Sequence, residues 1–480
     1  MTLWQHQQNI LKDIESKQYI GLAWDVGTGK TLAVLEIIKR LKFQTALILC
    51  PLSVTLSWRE EFLKWGNKEV EVYHGKISKK KRKQILESEK IIIMNYESFI
   101  TNEAYEALCG RKFQLLVIDE SQRIKDPESI RTKKLLRIRD NFEFAIVMSG
   151  SMILNSLLDI WAQAQVMSNR TIFDKNFSVF RRRFFENRNA SIPGRRMWGD
   201  WRPRPGSETE IKKLIANDIS FVDKSEVLDL PPLIQVSRRV EMTPQQRIIY
   251  ESMQKNLIAV FADKTSVAKI ALEKLIRLQQ ISVGIFKDDT GKVSSIETDR
   301  PKILFDIMQD IPKQDKIIIW SNWVPTYDVI AEVCEKSGRS YGFLTGRQSM
   351  KDKEESILNF KNGDLNVLIA NQASGGAGLN LQVAKYCIYY SRSFSLEHDI
   401  QSMGRIYRGG SEIHDKITRI DISTLDSVED KIYNALINKR KIGELLAAIA
   451  VELTGEAPLW LMEDMPESLV DYLSEEMNER

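Results

Sequence analysis

Cysteine and histidine are scarce, with four of each in 480 residues. Cys50, Cys109, Cys334 and Cys387 lie far apart, so neither a disulfide framework nor a cysteine metal cage is expected. A reducing cytoplasm is the simplest setting for such a chain. His6, His74, His398 and His414 are equally scattered, which argues against a structural zinc. No apolar run approaches the roughly 20 residues that cross a bilayer. The stretch Met1-Thr2-Leu3-Trp4-Gln5-His6 lacks the basic-then-apolar order of a secretion signal. Net charge is also small, +4 from 69 basic and 65 acidic residues, so bulk charge does not announce a polyanionic partner. No solenoid-type repeat is visible.

What is present suits a soluble globular protein: 43% apolar and 28% charged residues. The length calls for two or three domains. Two zones alternate short apolar runs with helical patterns. The first holds Thr45–Cys50, Ile91–Met94, Leu115–Ile118 and Phe144–Met148; the second holds Ile317–Trp320, Tyr341–Leu344, Val367–Ala370, Tyr386–Tyr390 and Ile417–Ser423. Short β-branched runs between helical stretches predict buried parallel strands with crossover helices, hence α/β architecture twice over. Residues 157–300 read as mostly helical, with an Arg-, Trp- and Pro-rich insert at 179–205. Leu230-Pro231-Pro232 reads as a hinge, because paired prolines stop helices and stiffen the chain. An apolar helix over Leu445–Leu453 and an acidic tail, Glu463–Arg480, close the chain.

Asp25-Val26-Gly27-Thr28-Gly29-Lys30-Thr31 follows the short apolar run Ile20–Ala23 and precedes a helical pattern carrying Leu32, Leu35, Ile38 and Leu41. Glycines let backbone N–H groups close on phosphates, and a helix start adds a favourable dipole. In this pattern Lys30 would reach the β- and γ-phosphates of ATP, and Thr31 would hold Mg²⁺. Trp24 stands where the full phosphate-loop spelling has its first glycine. Asp119-Glu120 ends the run Leu115–Ile118. A carboxylate there can hold Mg²⁺, and its neighbour can orient or deprotonate the attacking water. A solvated turn after a strand is the plain alternative.

In the second zone, Gln401-Ser402-Met403-Gly404-Arg405-Ile406-Tyr407-Arg408-Gly409-Gly410 carries two arginines three residues apart. On a helix they share a face. Either this is a solvated basic face, or Arg405 and Arg408 reach a γ-phosphate, a contribution of order 10³–10⁵ in rate in phosphoryl transfer. Ser374-Gly375-Gly376-Ala377-Gly378, just after Val367–Ala370, has a backbone free enough to approach a phosphate.

Taken together, these residues resemble a superfamily-two helicase of the SWI/SNF-like group, over about residues 1–445. Leu3–Gln7 resembles the adenine-reading Q motif, with Gln7 as its glutamine, and Asp25–Thr31 resembles motif I. Leu49–Val54 through Trp58–Phe62 is similar to motif Ia, and Asn95-Tyr96-Glu97 to the next DNA-contacting motif. Asp119–Gln122 stands at motif II, Ser149–Asn155 at motif III and Ile319–Trp323 at motif IV. Ser374–Leu381 stands at motif V and Gln401–Gly410 at motif VI. Motif II ends in Gln122 where the group has His. In motif III Ser151 and Met152 replace Thr-Pro, which puts tight ATP–DNA coupling in question. Ser411 stands where the group often has Gln.

The resemblance implies two RecA-like parallel-sheet lobes in tandem, with a mainly helical, Arg/Trp-rich insertion between them. The expected divisions are a first lobe at 1–160, its basic protrusion at 161–228, and a linker with helical protrusion at 229–300. A second lobe at 301–445 and the tail at 446–480 follow. The implied catalytic set is Lys30, Asp119, Glu120, Arg405 and Arg408, with Mg²⁺ on Thr31 and Asp119. Nucleotide contacts are expected from Gln7, Gly27, Thr28, Gly29, Lys30, Thr31, Gly376 and Gln401. Double-stranded DNA, gripped chiefly by its backbone and without sequence preference, would meet Ser53, Trp58, Asn95, Tyr96, Ser321, Thr345, Gly346 and Ser374.

The segment Phe180–Arg204 has eight arginines against Glu186 and Asp200, interleaved with aromatics. Two readings are open for it. One is a protrusion of the first lobe, with Arg182 and Arg196, that touches DNA or wedges at a junction; the other is a loop whose arginines pair with acidic residues elsewhere and whose tryptophans are buried anchors. The run Lys79-Lys80-Lys81-Arg82-Lys83 reads as a solvated helix start or an accessory phosphate contact. The compact size resembles bacterial and phage members. The expectation is therefore a monomeric DNA translocase in the cytoplasm of a bacterial or phage-infected cell. It has no membrane partner, and a replication, recombination or defence protein is its protein partner. An RNA-dependent ATPase of the same fold and a nucleotide-gated DNA-binding module with little turnover are the alternatives.

Overall fold

The computed structural model describes residues 3–437, except 13, 67–68, 76, 89, 151, 153–156, 188–200, 228, 263–267, 288–291 and 373–378, together with residue 449. The chain forms two compact units whose main divide falls between Leu230 and Pro231.

The first unit is built on seven strands. They are β1 (Tyr19–Trp24), β2 (Ala46–Cys50), β3 (Glu71–Tyr73), β4 (Ile91–Asn95), β5 (Phe113–Asp119), β6 (Phe142–Ser149) and, after the short hairpin β7 (Phe185–Asn187) and β8 (Trp201–Pro203), β9 (Ile219–Val222). Their order is β3-β4-β2-β5-β6-β1-β9, all pairings parallel. β-Branched runs such as Ile91-Ile92-Ile93 suit the pleat because their χ1 angles are already restricted. Alternation divides the side chains between two cores. Leu47 and Leu49 point into one, while Ala46, Ile48 and Cys50 point into the other. Helices must therefore cover both faces, as parallel sheets require. The helix Lys30–Arg40 covers one of them, burying Leu32, Val34, Leu35, Ile37 and Ile38. Each such chain contributes about 1.5–3 kcal/mol on leaving water.

In parallel register every strand ends at the same edge. Ala23 pairs with Ser149, Leu49 with Ile118 and Cys50 with Asn95. The segments after β1, β2, β4, β5 and β6 thus emerge side by side, the position where open α/β sheets bind ligands.

The second unit repeats the plan with β10 (Leu233–Val240), the hairpin β11 (Ile285–Lys287) and β12 (Val293–Ser295), then β13 (Ile317–Trp320), β14 (Tyr341–Leu344), β15 (Val367–Ala370), β16 (Tyr386–Tyr389) and β17 (Ile417–Thr424). The six-stranded sheet runs β10-β17-β16-β13-β15-β14, again parallel. Two long helices, Pro244–Ala262 and Ala268–Ser282, precede β11. The helix Val428–Ile437 is tied to the sheet by Arg300, which is fully buried. Arg300 donates to the carbonyls of Tyr390 and Ile422, to Thr424 Oγ1 at 2.8 Å, and to the Glu429 carboxylate.

Each internal strand expected from an apolar run is present. Three edge-side strands, β3, β9 and β10, were not anticipated, two of them inside the region read as mostly helical. Their solvent-facing positions break the apolar run. In β10, for instance, Ile234, Gln235, Ser237, Arg238 and Arg239 are exposed. The run Lys79–Lys83 is a helix start: Lys79–Glu87 is helical, with Ser78 Oγ accepting from Lys81 N–H at 3.3 Å. The helix and tail expected beyond residue 445 lie outside the described residues, apart from Ile449.

Candidate active site

The phosphate loop leaves β1 at Trp24 and enters the helix at Lys30. Gly27 and Gly29 hold φ of 93° and 78°, a region where other L-residues are strained. Gly29 has a second reason to lack a side chain: a Cβ there would lie 2.3 Å from Gln7 Nε2. Gln7 is buried and bridges, accepting from Trp4 N–H at 2.9 Å and donating to the Gly29 carbonyl at 3.1 Å. His6 Nε2 meets the Thr28 carbonyl at 2.9 Å, its ring edge-on to Trp24 at 4.6 Å. The amino-terminal helix Gln5–Lys12 therefore fastens the loop directly. Lys30 Nζ donates to the carbonyls of Trp24 and Asp25 at 2.7 and 3.1 Å, so its charge stays inside the loop. Thr31 stands in the helix's first turn. On the far side Asp25 Oδ2 accepts from Lys224 N–H at 3.1 Å, and Trp24 Nε1 donates to Ser220 Oγ at 2.9 Å. The chain returning through β9 thus braces the loop.

Asp119 ends β5, one strand removed from β1. Glu120, next to it, has φ 51°, a left-handed turn that swings the chain away from the strand. The Asp119 carboxylate is fixed at both oxygens. Trp58 Nε1 donates to Oδ2 at 2.9 Å and Glu120 N–H to Oδ1 at 2.9 Å. Tyr96 OH donates to the Asp119 carbonyl at 2.6 Å. Burial, with the Glu120 charge beside it, pushes the Asp119 carboxyl up to about 7, against the pull of Trp58, Lys30 and the Glu120 N–H. A buried carboxylate close enough to feel Lys30, and held short of cations of its own, has the chemistry of a Mg²⁺ ligand.

Gln122 connects this carboxylate pair to the end of β6. Its Nε2 donates to Glu120 Oε2 at 2.8 Å, and its Oε1 accepts from Ser149 Oγ at 2.6 Å. Ser121 Oγ donates to Gln163, whose Nε2 donates to the Met152 carbonyl at 2.7 Å. Met152 is buried. The glutamine in place of histidine therefore still spans from the carboxylate pair to the Ser149–Met152 segment.

In the second unit the helix Leu396–Met403 ends at Gly404, directly before Arg405. Arg405 is buried and Arg408 half-buried. Gln401 is half-buried, donating to Glu397 Oε1 at 2.9 Å. Gly376 and Ser374 lie outside the described residues.

The residues expected to meet nucleic acid divide into three groups. Trp58 and Tyr96 are each 1% exposed, and they are spent on Asp119. Ser321, fully buried, is bonded to Thr326 and Ser391, and Thr345, also buried, donates to Gln348 at 2.7 Å. These four side chains serve as internal supports in this structure. Asn95 is nearly as buried, donating to Glu97 at 2.8 Å. Gly346 and Arg182 are exposed. Arg196 and the Ser53 side chain lie outside the described residues.

Within the insert, Arg181 stacks 4.3 Å over Trp201, and Arg183 pairs with Glu210 at 2.8 Å. Arg181 is half-buried there, and Arg183 is exposed. The supports Trp58, Gln163, Lys224 and His6 carried no local signal as such, because each acts on a residue at least 22 positions away.

A phosphate loop opening a helix, with a carboxylate pair at the same edge of a parallel sheet and a second sheet of the same plan, defines a two-lobe nucleoside triphosphatase. A family model described as the SNF2-related domain matches residues 8–284, and one for the helicase conserved C-terminal domain matches residues 299–410. The chain belongs to the SNF2-related family, and it carries the ATP-dependent helicase-type core of that family. It is 25% identical over 480 residues to an "Uncharacterized ATP-dependent helicase" of Mycoplasma pneumoniae, covering 94% of this chain and 43% of that protein. It is 23% identical over 493 residues to the human "DNA repair and recombination protein RAD54B", covering 90% and 52%. It is 24% identical over 442 residues to "Putative protein p41" of Acyrthosiphon pisum secondary endosymbiont phage 1, covering 88% and 92%. The chain spans about half the length of the first two. No described helix is long and apolar enough to cross a membrane.

Proposed function

We propose that this chain is a double-stranded DNA translocase, hydrolysing Mg²⁺-ATP when bound to duplex. The observation that carries the reading is the convergence of Lys30, Asp119 and Glu120 on one sheet edge of a chain that matches the SNF2-related domain over most of its first unit. Here Lys30 and the loop amides bind the β- and γ-phosphates, and Thr31 and Asp119 hold Mg²⁺. Glu120, oriented by Gln122, aligns the attacking water. Mg²⁺ supplies charge neutralisation at the phosphates when bound. Arg405 and Arg408 come to the γ-phosphate on closure, so hydrolysis depends on both units.

Closure shifts one DNA grip relative to the other, and loss of the γ-phosphate relaxes it. ATP drives the step only through its tighter binding to the closed form. The grip is largely backbone and non-specific, with exposed Gly346 and Arg182 among the contacts, so affinity falls steeply with salt. The setting proposed is a monomer in a bacterial or phage-infected cell, acting beside replication, recombination or defence proteins.

ATP turnover measured with duplex DNA, single-stranded DNA and RNA tests this, together with ATP-dependent displacement of a triplex-forming strand. Duplex is expected to stimulate most and the third strand to be displaced. Preferential stimulation by RNA supports the RNA-dependent alternative. ATP binding without turnover at saturating duplex supports the nucleotide-gated module.

A further inference from the structure

The helix Leu396–Met403 delivers the chain to Arg405, and a buried ion network holds that helix to the sheet. Arg419, on β17, faces Asp399 in the helix's first turn. Nη1 donates to Oδ2 at 3.0 Å and Nη2 to Oδ1 at 2.6 Å. Its Nε turns to Asp421 at 3.1 Å, and its guanidinium lies 4.1 Å over the Tyr389 ring. Asp421 is also paired with Arg392, which sits 4.0 Å over Tyr433. The Arg419 and Asp399 side chains are only 7% and 16% exposed. One turn further along the helix, Ser402 Oγ meets Tyr389 OH at 2.9 Å. Past the helix end, Leu381 N–H donates to the Arg405 carbonyl at 3.0 Å.

Stability alone does not account for so dry a pair. Replacing a buried ion pair by apolar groups of equal volume is often neutral or stabilising. What a two-pronged guanidinium–carboxylate pair adds is direction. Asp399 and Ser402 lie on one helix face and are both held from the sheet, which fixes the helix's rotation about its axis. Gly404 keeps near-helical angles, φ −66° and ψ −5°, so that rotation carries over to the next residue, Arg405.

We infer that Arg419, acting through Asp399, is a positioning residue for Arg405, setting where that guanidinium points without touching the triphosphate. The inference rests on the reading of Arg405 as a γ-phosphate contact. Asp399→Asn keeps the volume and leaves Arg419 paired with Asp421; Arg419→Lys keeps the charge and loses the fork. In the full-length protein both variants lower the kcat of duplex-stimulated ATP turnover about ten-fold or more. KM for ATP and duplex affinity stay within about two-fold. Hydrogen exchange of the unliganded protein reads positioning without turnover. Amides of Gly404–Arg408 exchange about ten-fold faster in Asp399→Asn, while those of the helix Lys30–Arg40 do not change. Unaltered exchange at 404–408, or a folded Asp399→Asn protein with undiminished kcat, overturns the inference. Arg405→Ala separates the two levels. Full turnover in that variant defeats the reading of Arg405 itself and the inference with it; lost turnover there, with normal kcat in Asp399→Asn, defeats only the inference.

Discussion

Trp58→Phe is the most diagnostic single change in the first unit. The indole N–H bonded at 2.9 Å to Asp119 Oδ2 is removed, while most of the aromatic bulk remains. The Asp119 carboxyl sits near 7 in the folded protein, against an ordinary 3.8, chiefly because it is buried. A group whose folded pKa is raised contributes stability that is fully present below about pH 4 and is lost as pH passes about 7. Losing an N–H donor that favours the ionised form raises that pKa further, so the variant suffers most where Asp119 is ionised. A hydrogen bond to a charged group contributes about 1.5–3 kcal/mol, against about 1 kcal/mol for a neutral one. The loss from lost packing is common to both conditions.

The variant is therefore expected to be destabilised by about 1–2 kcal/mol more at pH 8 than at pH 5.5. In a unit of this size that is an extra fall of roughly 3–6 °C. Thermal unfolding of wild type and variant, without nucleotide and with chelator, measures it directly. An equal loss at both pH values would refute the account of Asp119 as a strained carboxylate held by Trp58.

Gly29→Ala adds a Cβ 2.3 Å from Gln7 Nε2 at a φ of +78°, a conformation disfavoured by about 1–2 kcal/mol. ATP affinity should fall at least about ten-fold, with duplex affinity intact, by nucleotide titration and DNA binding. Gln122→Ala severs the links to Glu120 and Ser149. kcat should drop by up to about 100-fold while ATP binding stays near normal, and an unmoved kcat would show that Glu120 needs no such support. Glu429→Ala leaves Arg300 buried without its carboxylate. Thermal unfolding should show the second unit destabilised by about 3–5 kcal/mol.

How far the sequence carried depended on whether a feature was local. Interior strands such as Ile91–Asn95 and Ile317–Trp320 are buried on both faces, so their apolar runs were continuous and legible. Edge-side strands β9 and β10 carry exposed positions, Phe221 in the first and five of eight in the second, and left no continuous buried run. The turn Asp25–Thr31 into a helix was legible because its glycines stand where the backbone takes φ of 93° and 78°. Its braces were not. Lys224 is 199 residues from Asp25, and Trp58 is 61 from Asp119. Trp58 was expected to meet DNA from its place in a motif; its burial and its N–H bond to the Asp119 carboxylate are set by the fold and left no local mark. In the insert, half-buried Arg181 stacks on Trp201, while Arg183, paired with Glu210, and Arg182 are both exposed. Composition alone does not make that distinction.

The proposed function requires Lys30 and Arg405 alike for ATP turnover. Steady-state ATP turnover and ATP binding of Lys30→Ala and Arg405→Ala, at saturating duplex, test it most directly. Turnover should vanish in both, and binding should weaken strongly only in Lys30→Ala. Wild-type turnover by Arg405→Ala would contradict the account.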